Sequence, residues 1–174
     1  MNINIKELCK QIKKSPSIIW TVQNGTHYVT NRHWAVRYTE LPREVLIQLF
    51  CIFAEIPKEG ETISFSKSYG FVSHSSANVE RVFKDQEKVT DTGLVTPYLK
   101  THDDYGNLRI IKIGKEFAYI NEDYMKLVTD CESTSVVCSG RLSPISFYDN
   151  MLIILPVRTA NEKDSGVINE LLAS

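Results

Sequence analysis

Residues 18–38 constrain the fold of this chain more than any other segment. They contain three runs rich in β-branched and aromatic residues, IIWTVQ, THYVTN and HWAVRY, separated by Asn24-Gly25 and by Asn31-Arg32. Such side chains favour strands, and an Asn-Gly pair between two strand-like runs is typical of a two-residue type I′ hairpin. The segment therefore predicts three antiparallel strands joined by tight turns.

The C-terminal part of the chain repeats this pattern. The runs STSVVCS, RLSPISFY and MLIILPV are separated by turn residues at Ser139-Gly140 and Asp149-Asn150. They predict a three-stranded meander whose last strand is apolar enough to be central or covered on both faces. Further strands are predicted at LRIIKIG, residues 108–114, and at residues 117–120.

Two amphipathic helices are predicted, near residues 4–14 and 121–130. In the first, Ile5, Leu8, Cys9 and Ile12 recur at helical spacing, and Ser15-Pro16 ends the helix. In the second, Asn121 is a good N-cap, Glu122 and Asp123 suit the positive helix end, and Tyr124, Leu127 and Val128 form the buried face. The element order indicates an α+β fold with both helices on one face of an antiparallel sheet.

A third helix is predicted at REVLIQLFCIF, residues 43–53, between Pro42 and Pro57. Its residues are apolar on nearly every side, so something must cover it. The rest of the chain's own core and a subunit interface are both compatible with the sequence. Residues 58–109 are more polar, and predict strands near ETISFS and GFVS, a short helix at Ala77–Lys84 and loops elsewhere.

Composition narrows the class of protein. The chain has 174 residues, of which 43% are hydrophobic and 24% charged, and this suits one globular domain. The formal net charge of -1 gives no general attraction to nucleic acid, so any such binding must use a local patch. Four separated cysteines, no signal sequence and no apolar run of about 18 residues lead us to expect reduced thiols and a cytoplasmic protein.

The first predicted helix carries a local basic patch. Lys6, Lys10, Lys13 and Lys14, the lysine row, fall in one sector away from the apolar stripe. This sector is either an ordinary solvated face or a surface that contacts phosphates of a nucleic acid.

Signals for catalysis are weak. His27, His33, His74 and His102 pair with no Cys or carboxylate at a recognised spacing, and the glycines form no phosphate-binding loop. Ser73 and His74 are adjacent, so on a strand they point to opposite faces. The sequence therefore predicts a protein without catalytic residues, bound metal or cofactor.

Four motifs carry a resemblance to a known family. They are YINEDYMKLV at 119–128, SGRLSP at 139–144, NMLIILPVR at 150–158 and, more loosely, VTNRHWAV at 29–36. Together they resemble the C-terminal domain of the bacterial DNA polymerase III β subunit, the sliding clamp. In that family a short helix begins after an Asn, a strand of Leu-Ser-Pro type follows, and the chain closes on a Pro-containing strand ending in Arg.

The resemblance implies a fold and a division of the chain. The fold is a single DNA-clamp-like domain at residues 1–160, in which two helices pack on one face of an antiparallel sheet. Residues 40–100 are then an insertion that contains the additional apolar helix, and residues 161–174 a C-terminal tail. A clamp subunit of that family has three such domains, so a ring built from this chain requires several copies.

The resemblance also implies site residues. Clamps hold an apolar groove that receives short peptide motifs from replication proteins, and clamp helices face the DNA backbone with basic side chains. Carried onto this chain, the lysine row faces DNA without sequence preference. The implied groove residues are Thr30, His33, Trp34, Leu142, Ser143, Pro144, Leu155, Pro156, Val157 and Arg158.

The expected function is that of a noncatalytic clamp-like accessory in DNA replication or repair, acting as a homo-oligomer around DNA, through replication partners, or both. The alternative is a protein-interaction module that does not encircle DNA and competes for clamp or polymerase contacts. A small chain of this kind fits a phage or mobile element.

Overall fold

The strands predicted at 18–38 are present. The computed structural model describes residues 2–130 and 134–159. Its first three strands are β1 (Ser17–Gln23), β2 (Thr26–Thr30) and β3 (Trp34–Tyr38), and each pairs antiparallel with the next. Asn24 and Gly25 both have positive φ, 53° and 68°, as a type I′ turn requires. The predicted hairpin is confirmed.

The described strands form one antiparallel sheet. The remaining strands are β4 (Thr62–Ser66), β5 (Phe71–His74), β6 (Thr92–His102), β7 (Gly106–Ile113), β8 (Glu116–Asn121), β9 (Ser135–Val137), β10 (Ile145–Phe147) and β11 (Leu152–Ile154). Their order across the sheet is β5-β4-β1-β2-β3-β11-β10-β9-β6-β7-β8. The meander predicted at the C-terminus is therefore present as β9, β10 and β11, and β11 is central and fully buried.

The sheet curls around its main core. After β11 the chain reaches β8 at the far end of the sheet, where the Val157 amide donates to the Tyr119 carbonyl at 2.7 Å. Side chains from both regions of the sheet, such as Trp20 of β1 and Ile120 of β8, belong to the same buried cluster. This cluster fills the concave side of the sheet.

Helices cover both faces of the sheet. They are α1 (Ile5–Lys14), α2 (Arg43–Phe53), α3 (Val79–Gln86) and α4 (Glu122–Met125). The buried side chains of α1, α2 and α4 join the main core. Those of α3 form a second cluster on the opposite face, where Phe83 packs with Ile19, Tyr28 and Ile153. The domain is thus α+β, with a large antiparallel sheet and helices on each side.

The two predicted helices lie side by side, but the second is shorter than expected. The side chain of Gln11 on α1 donates to the Asp123 carbonyl of α4 at 3.0 Å. The predicted helix over 121–130 is wrong in length, because α4 ends at Met125. Val128 then forms an isolated antiparallel bridge with Ile3, which takes the chain out of helical geometry. Pairing across the chain overrides the local helical pattern here.

The apolar helix is covered on one side. On α2, Val45, Leu49 and Phe53 are buried at successive turns, as an amphipathic helix on a core requires. Ile47 and Phe50 remain 53% and 52% exposed. The chain's own core therefore covers one side of this helix and leaves the other exposed.

The segment predicted as an insertion contributes to the sheet. Strand β4 extends the sheet beside β1, and β6 connects β9 to β7. The loop predicted over residues 92–102 is wrong, because β6 spans Thr92–His102 and contains Pro97. A register shift between Val95 and Leu99 accommodates this proline within the strand.

His27 makes the stability of the hairpin depend on pH. The buried Trp20 indole donates from Nε1 to His27 Nδ1 at 3.2 Å, so His27 must be neutral to accept this bond. Burial lowers the pKa of His27. Protons then bind the unfolded chain more readily than the folded one, so we expect stability to fall as the pH drops below about 6.5, the ordinary histidine value.

Urea unfolding of the whole chain at neutral pH and at mildly acidic pH measures this effect. His27→Asn is the matched control, because an amide oxygen replaces Nδ1 as acceptor and does not titrate. This variant should show a flatter pH profile. An equally steep profile in both proteins would show that His27 is not responsible.

Candidate partner-binding site

A tightly bonded loop between β2 and β3 positions Trp34. The buried Asn31 side chain accepts from the amides of His33 and Trp34, each at 3.0 Å, and donates to Ser15 Oγ at 3.0 Å. Arg32 has a φ of 75°, in the left-handed region that such a turn uses. The loop is therefore fixed both to itself and to the end of α1.

The same loop is hydrogen-bonded to the end of β11. Thr30 Oγ1 donates to the Trp34 carbonyl at 2.6 Å. Trp34 pairs with Ile154 of β11, and the Leu155 amide donates to the His33 carbonyl at 2.8 Å. Trp34 and Leu155, two of the groove residues that the resemblance implies, thus lie on adjacent strand ends. Trp34 is 1% exposed, and its Nε1 has no hydrogen-bond partner among the described residues.

A cavity of about 300 Å³ opens beside this junction, between α3 and the convex face of the sheet. We call it the α3 cavity. Its lining is predominantly apolar, with Arg32, Thr30 and Asn78 as polar members. The lining residues are Ile19, Thr30, Arg32, Trp34, Ala35, Ala77, Asn78, Val79, Val82, Ile153 and Leu155.

Anchoring of α3 at one side creates this cavity. Phe83 is fully buried against Tyr28, with ring centroids 5.3 Å apart, and the Asn150 side chain donates to the Phe83 carbonyl at 2.9 Å. Val82, on the neighbouring side of the helix, is 37% exposed, and Leu155 is 40% exposed. The apolar lining is therefore accessible to a ligand from solution.

Three of the predicted groove residues line the α3 cavity, namely Thr30, Trp34 and Leu155. His33 is exposed and stacks on Tyr124 at 5.7 Å, where it lines a separate polar cavity with Gln11 and Asp123. Its side chain therefore does not belong to the α3 cavity. The two neighbouring residues therefore border different cavities.

The other predicted groove residues lie near the cavity without lining it. Ile145 pairs with Ile154, so the preceding Pro144 comes beside Leu155 on the neighbouring strand. This places the two motifs side by side, as the sequence predicts. However, Leu142, Ser143 and Pro144 on one motif, and Pro156, Val157 and Arg158 on the other, are absent from the lining of the α3 cavity.

Sequence reasoning missed the contribution of α3. The spacing of Val79, Val82 and Phe83 indicates a helix with an apolar face, and the predicted helix at residues 77–84 overlaps it. Nothing in that spacing tells which face of the sheet receives the helix. Helix α3 docks on the convex face by packing against Ile19, Tyr28 and Ile153, which are all far from α3 in the sequence.

The lysine row forms a basic surface on α1. All four lysines are exposed, and Lys10 pairs with Glu7 at 3.2 Å. Lys67 adds a further cation, because its Nζ donates to the carbonyls of Lys13 and Lys14 at the end of the helix. The four lysines predicted to form a basic surface are thus all accessible to solvent on the same helix.

Asp123 of α4 lies close enough to the lysine row to interact electrostatically with it. A hydrogen bond from Lys126 is the main cause that lowers the pKa of the Asp123 carboxyl, and Lys14 and Lys10 lower it further. One carboxylate therefore offsets part of the positive charge at the α4 side.

Other polar groups show no arrangement for metal binding. Within the described residues, no group of three or more His, Cys, Asp or Glu side chains could hold a metal ion. His74 pairs with Glu61 at 3.3 Å, and Ser73 bonds to Ser64 of the neighbouring strand at 3.1 Å.

No helix in the described ranges has the length and apolarity needed to cross a membrane.

Comparison of the chain with protein-family models, curated proteins and solved structures finds no match.

Proposed function

We propose that this chain is a noncatalytic, clamp-like accessory of DNA replication or repair that binds a protein partner by a short peptide in the α3 cavity. The observation that carries the proposal is an accessible apolar cavity of about 300 Å³ at the junction of Trp34 and Leu155. The sequence motifs around these two residues are the ones that resemble the sliding clamp. A cytoplasmic location accords with such a role.

The shape and chemistry of the cavity favour a peptide with an apolar anchor. A volume of about 300 Å³ is at the small end of ligand sites and suits one or two apolar side chains. Arg32 supplies a positive charge at the cavity, where an acidic side chain or a C-terminal carboxylate can pair with it. The partner peptide should therefore combine adjacent Leu or Phe residues with a neighbouring carboxylate.

The exposed lysine row supports a second candidate function, contact with the backbone of double-stranded DNA. Such contacts are independent of base sequence and allow a protein to slide. A homo-oligomer that encircles DNA would use these backbone contacts. A non-encircling module that competes for clamp or polymerase contacts would not need them. Both retain the peptide site.

Selection from a displayed library of random short peptides, with the full chain as bait, tests the peptide site. Enriched peptides should carry adjacent apolar residues and an acidic residue. Val82→Glu places a charge in the cavity lining, and we expect it to weaken binding of those peptides about 30-fold or more, the loss typical of an apolar hot spot.

Leu142→Glu provides the matched control. Leu142 is 51% exposed and was predicted from sequence to be in the groove, but it lies outside the cavity lining. This variant should bind selected peptides like the unmodified chain. Equal binding by Val82→Glu, or an absence of enriched peptides, would contradict the proposed site.

A further inference from the structure

A polar cavity of about 310 Å³ opens at the C-terminal end of α1. We call it the α1 cavity. It shares no lining residue with the α3 cavity, and its lining includes Lys14, Gln11, Asp123 and the stacked pair of His33 and Tyr124. The last residue of the lysine row is therefore also a wall of a cavity.

Gln11 brings to this cavity an acceptor that the described residues do not satisfy. Its side chain is 6% exposed, and Nε2 donates to the Glu7 carboxylate and to the Asp123 carbonyl, each at 3.0 Å. Both partners are acceptors, so they fix the orientation of the amide. Oε1 accepts no hydrogen bond within the described chain.

This unsatisfied oxygen is open to solvent. In the described chain, the one fully buried side-chain polar atom that lacks a partner is Trp34 Nε1. Gln11 Oε1 is therefore not sealed in the core, and the α1 cavity is the space that its side chain lines. A ligand in the cavity can donate a hydrogen bond to it.

The two charged lining residues differ in sign. Lys126 donates a hydrogen bond to the Asp123 carboxylate, and this bond is the main cause that lowers the pKa of the Asp123 carboxyl. Lys14 lowers that pKa further but forms no ion pair of its own with a described residue. The cavity can therefore accept from N–H donors at Asp123 and pair with an anion at Lys14.

His33 and Tyr124 give the cavity an aromatic wall. Their rings are nearly parallel, with an interplanar angle of 14° and centroids 5.7 Å apart. His33 is exposed, so aromatic surface is open to a planar group. A nucleotide combines a planar base that stacks on such side chains, N–H donors on the edge of the base, and a phosphate. A volume of about 310 Å³ is at the small end of ligand sites and suits one nucleotide.

We propose that the α1 cavity binds one unpaired nucleotide of a DNA strand whose backbone lies on the lysine row. The base stacks on His33 and donates to Gln11 Oε1 and the Asp123 carboxylate, while Lys14 contacts the phosphate. The rest of the lysine row favours a nucleotide within a strand over a free one, because a strand supplies further phosphates. This inference rests on the proposed contact between the lysine row and DNA, and adds to it a preference for an unpaired base.

Two labelled duplexes test this preference. One carries a single unpaired nucleotide, and the other carries an abasic residue at the same position, so the phosphates are the same in both. Fluorescence anisotropy with the full chain should show about tenfold tighter binding when the base is present, a gain typical of one base stacked on an aromatic side chain. Equal binding to the two duplexes would overturn this inference and leave the DNA contact standing, whereas no binding to either would remove both.

His33→Ala should abolish the preference for the base, because it removes the stacking surface and leaves the lysine row unchanged. His74→Ala is the matched control, since the side chain of His74 is 80% exposed and lies outside the cavity lining. Both variants should bind a fully paired duplex like the unmodified chain. A tenfold preference that persists in folded His33→Ala would contradict the assignment of the base to this wall.

Gln11→Met tests the hydrogen bond from the base, because it removes the acceptor and keeps a side chain of similar length. It should reduce the preference severalfold. The change also removes the two bonds that Gln11 Nε2 donates, so circular dichroism must first show that the variant is folded. If it is not folded, the comparison of His33→Ala with His74→Ala decides the proposal.

Free deoxynucleoside monophosphates separate the two sources of a nucleotide. Used as competitors of the duplex with the unpaired base, they should displace the protein only at millimolar concentrations, because they lack the further phosphates that contact the lysine row. Displacement at low micromolar concentrations would assign the cavity to a free nucleotide and overturn the proposal.

Discussion

Changing Lys6, Lys10, Lys13 and Lys14 together to glutamate is expected to abolish retention of the protein on DNA. All four side chains are exposed, so the change should leave the fold intact. Four phosphate contacts give a salt dependence with a slope of about -3.6 in logarithmic units, so binding by the unmodified chain should weaken about a hundredfold between ~50 and ~200 mM salt. Fluorescence anisotropy with a labelled duplex measures both effects.

A variant with the same net charge separates a local surface from a general effect. Lys58, Lys84, Lys88 and Lys115 are also exposed and lie outside α1. Their joint replacement by glutamate should reduce DNA binding far less than the change in the lysine row. Equal losses in the two variants would show that net charge, and not α1, governs binding.

Topology of the DNA distinguishes encirclement from simple contact. A closed oligomer should stay on nicked circular DNA and leave when that DNA is linearised. A basic patch on a non-encircling protein should bind both forms alike. If the unmodified chain and the lysine-row variant bind equally poorly at low salt, the DNA function is excluded and the peptide site is the remaining candidate.

Local signals were sufficient for some elements of the fold. The hairpin at Asn24-Gly25 follows from backbone preference, because both turn residues must adopt positive φ and the flanking strands are rich in β-branched residues. Helix α1 follows from its apolar spacing and from Asn4, whose side chain accepts from the Glu7 amide. These elements depend on residues close in sequence.

Long-range contacts decided the elements that the sequence did not predict. Val128 leaves the helical pattern to bridge Ile3, more than a hundred residues earlier in the chain. Strand β6 contains a proline and exposed apolar residues, so its pattern resembles a loop until β7 and β9 pair with it. Such pairing is invisible in a short window of sequence.

In the candidate site, too, some residues could be predicted from the sequence and others could not. Motif resemblance identified Thr30, Trp34 and Leu155, which the structure brings to one cavity. It did not identify Val79 or Val82, because a helix on the convex face supplies them. Residues on a loop or strand terminus can be neighbours in sequence and yet belong to different surfaces, as His33 and Trp34 demonstrate.

Replacement of Asn31 by leucine is expected to cause a large loss of stability for a single substitution outside the apolar core. Asn31 is 6% exposed, and its side chain satisfies the amides of His33 and Trp34 together with Ser15 Oγ. Leucine leaves the buried Trp34 amide without a partner and disturbs the contact with α1. A loss of about 3 kcal/mol follows, because the amides of His33 and Trp34 both lose their acceptor and an unsatisfied buried group costs about 1–3 kcal/mol.

Asn31→Asp is the graded control for that prediction. Its carboxylate can still accept from the two amides but cannot donate to Ser15 Oγ, so the loss should be smaller than for leucine. Thermal unfolding should show a decrease of about 10 °C for Asn31→Leu and less for Asn31→Asp. Because Asn31 fixes the loop that carries Trp34, affinity for the selected peptides should fall in the same order, even at temperatures where both variants are folded. Full peptide affinity in folded Asn31→Leu would show that the α3 cavity does not require this loop.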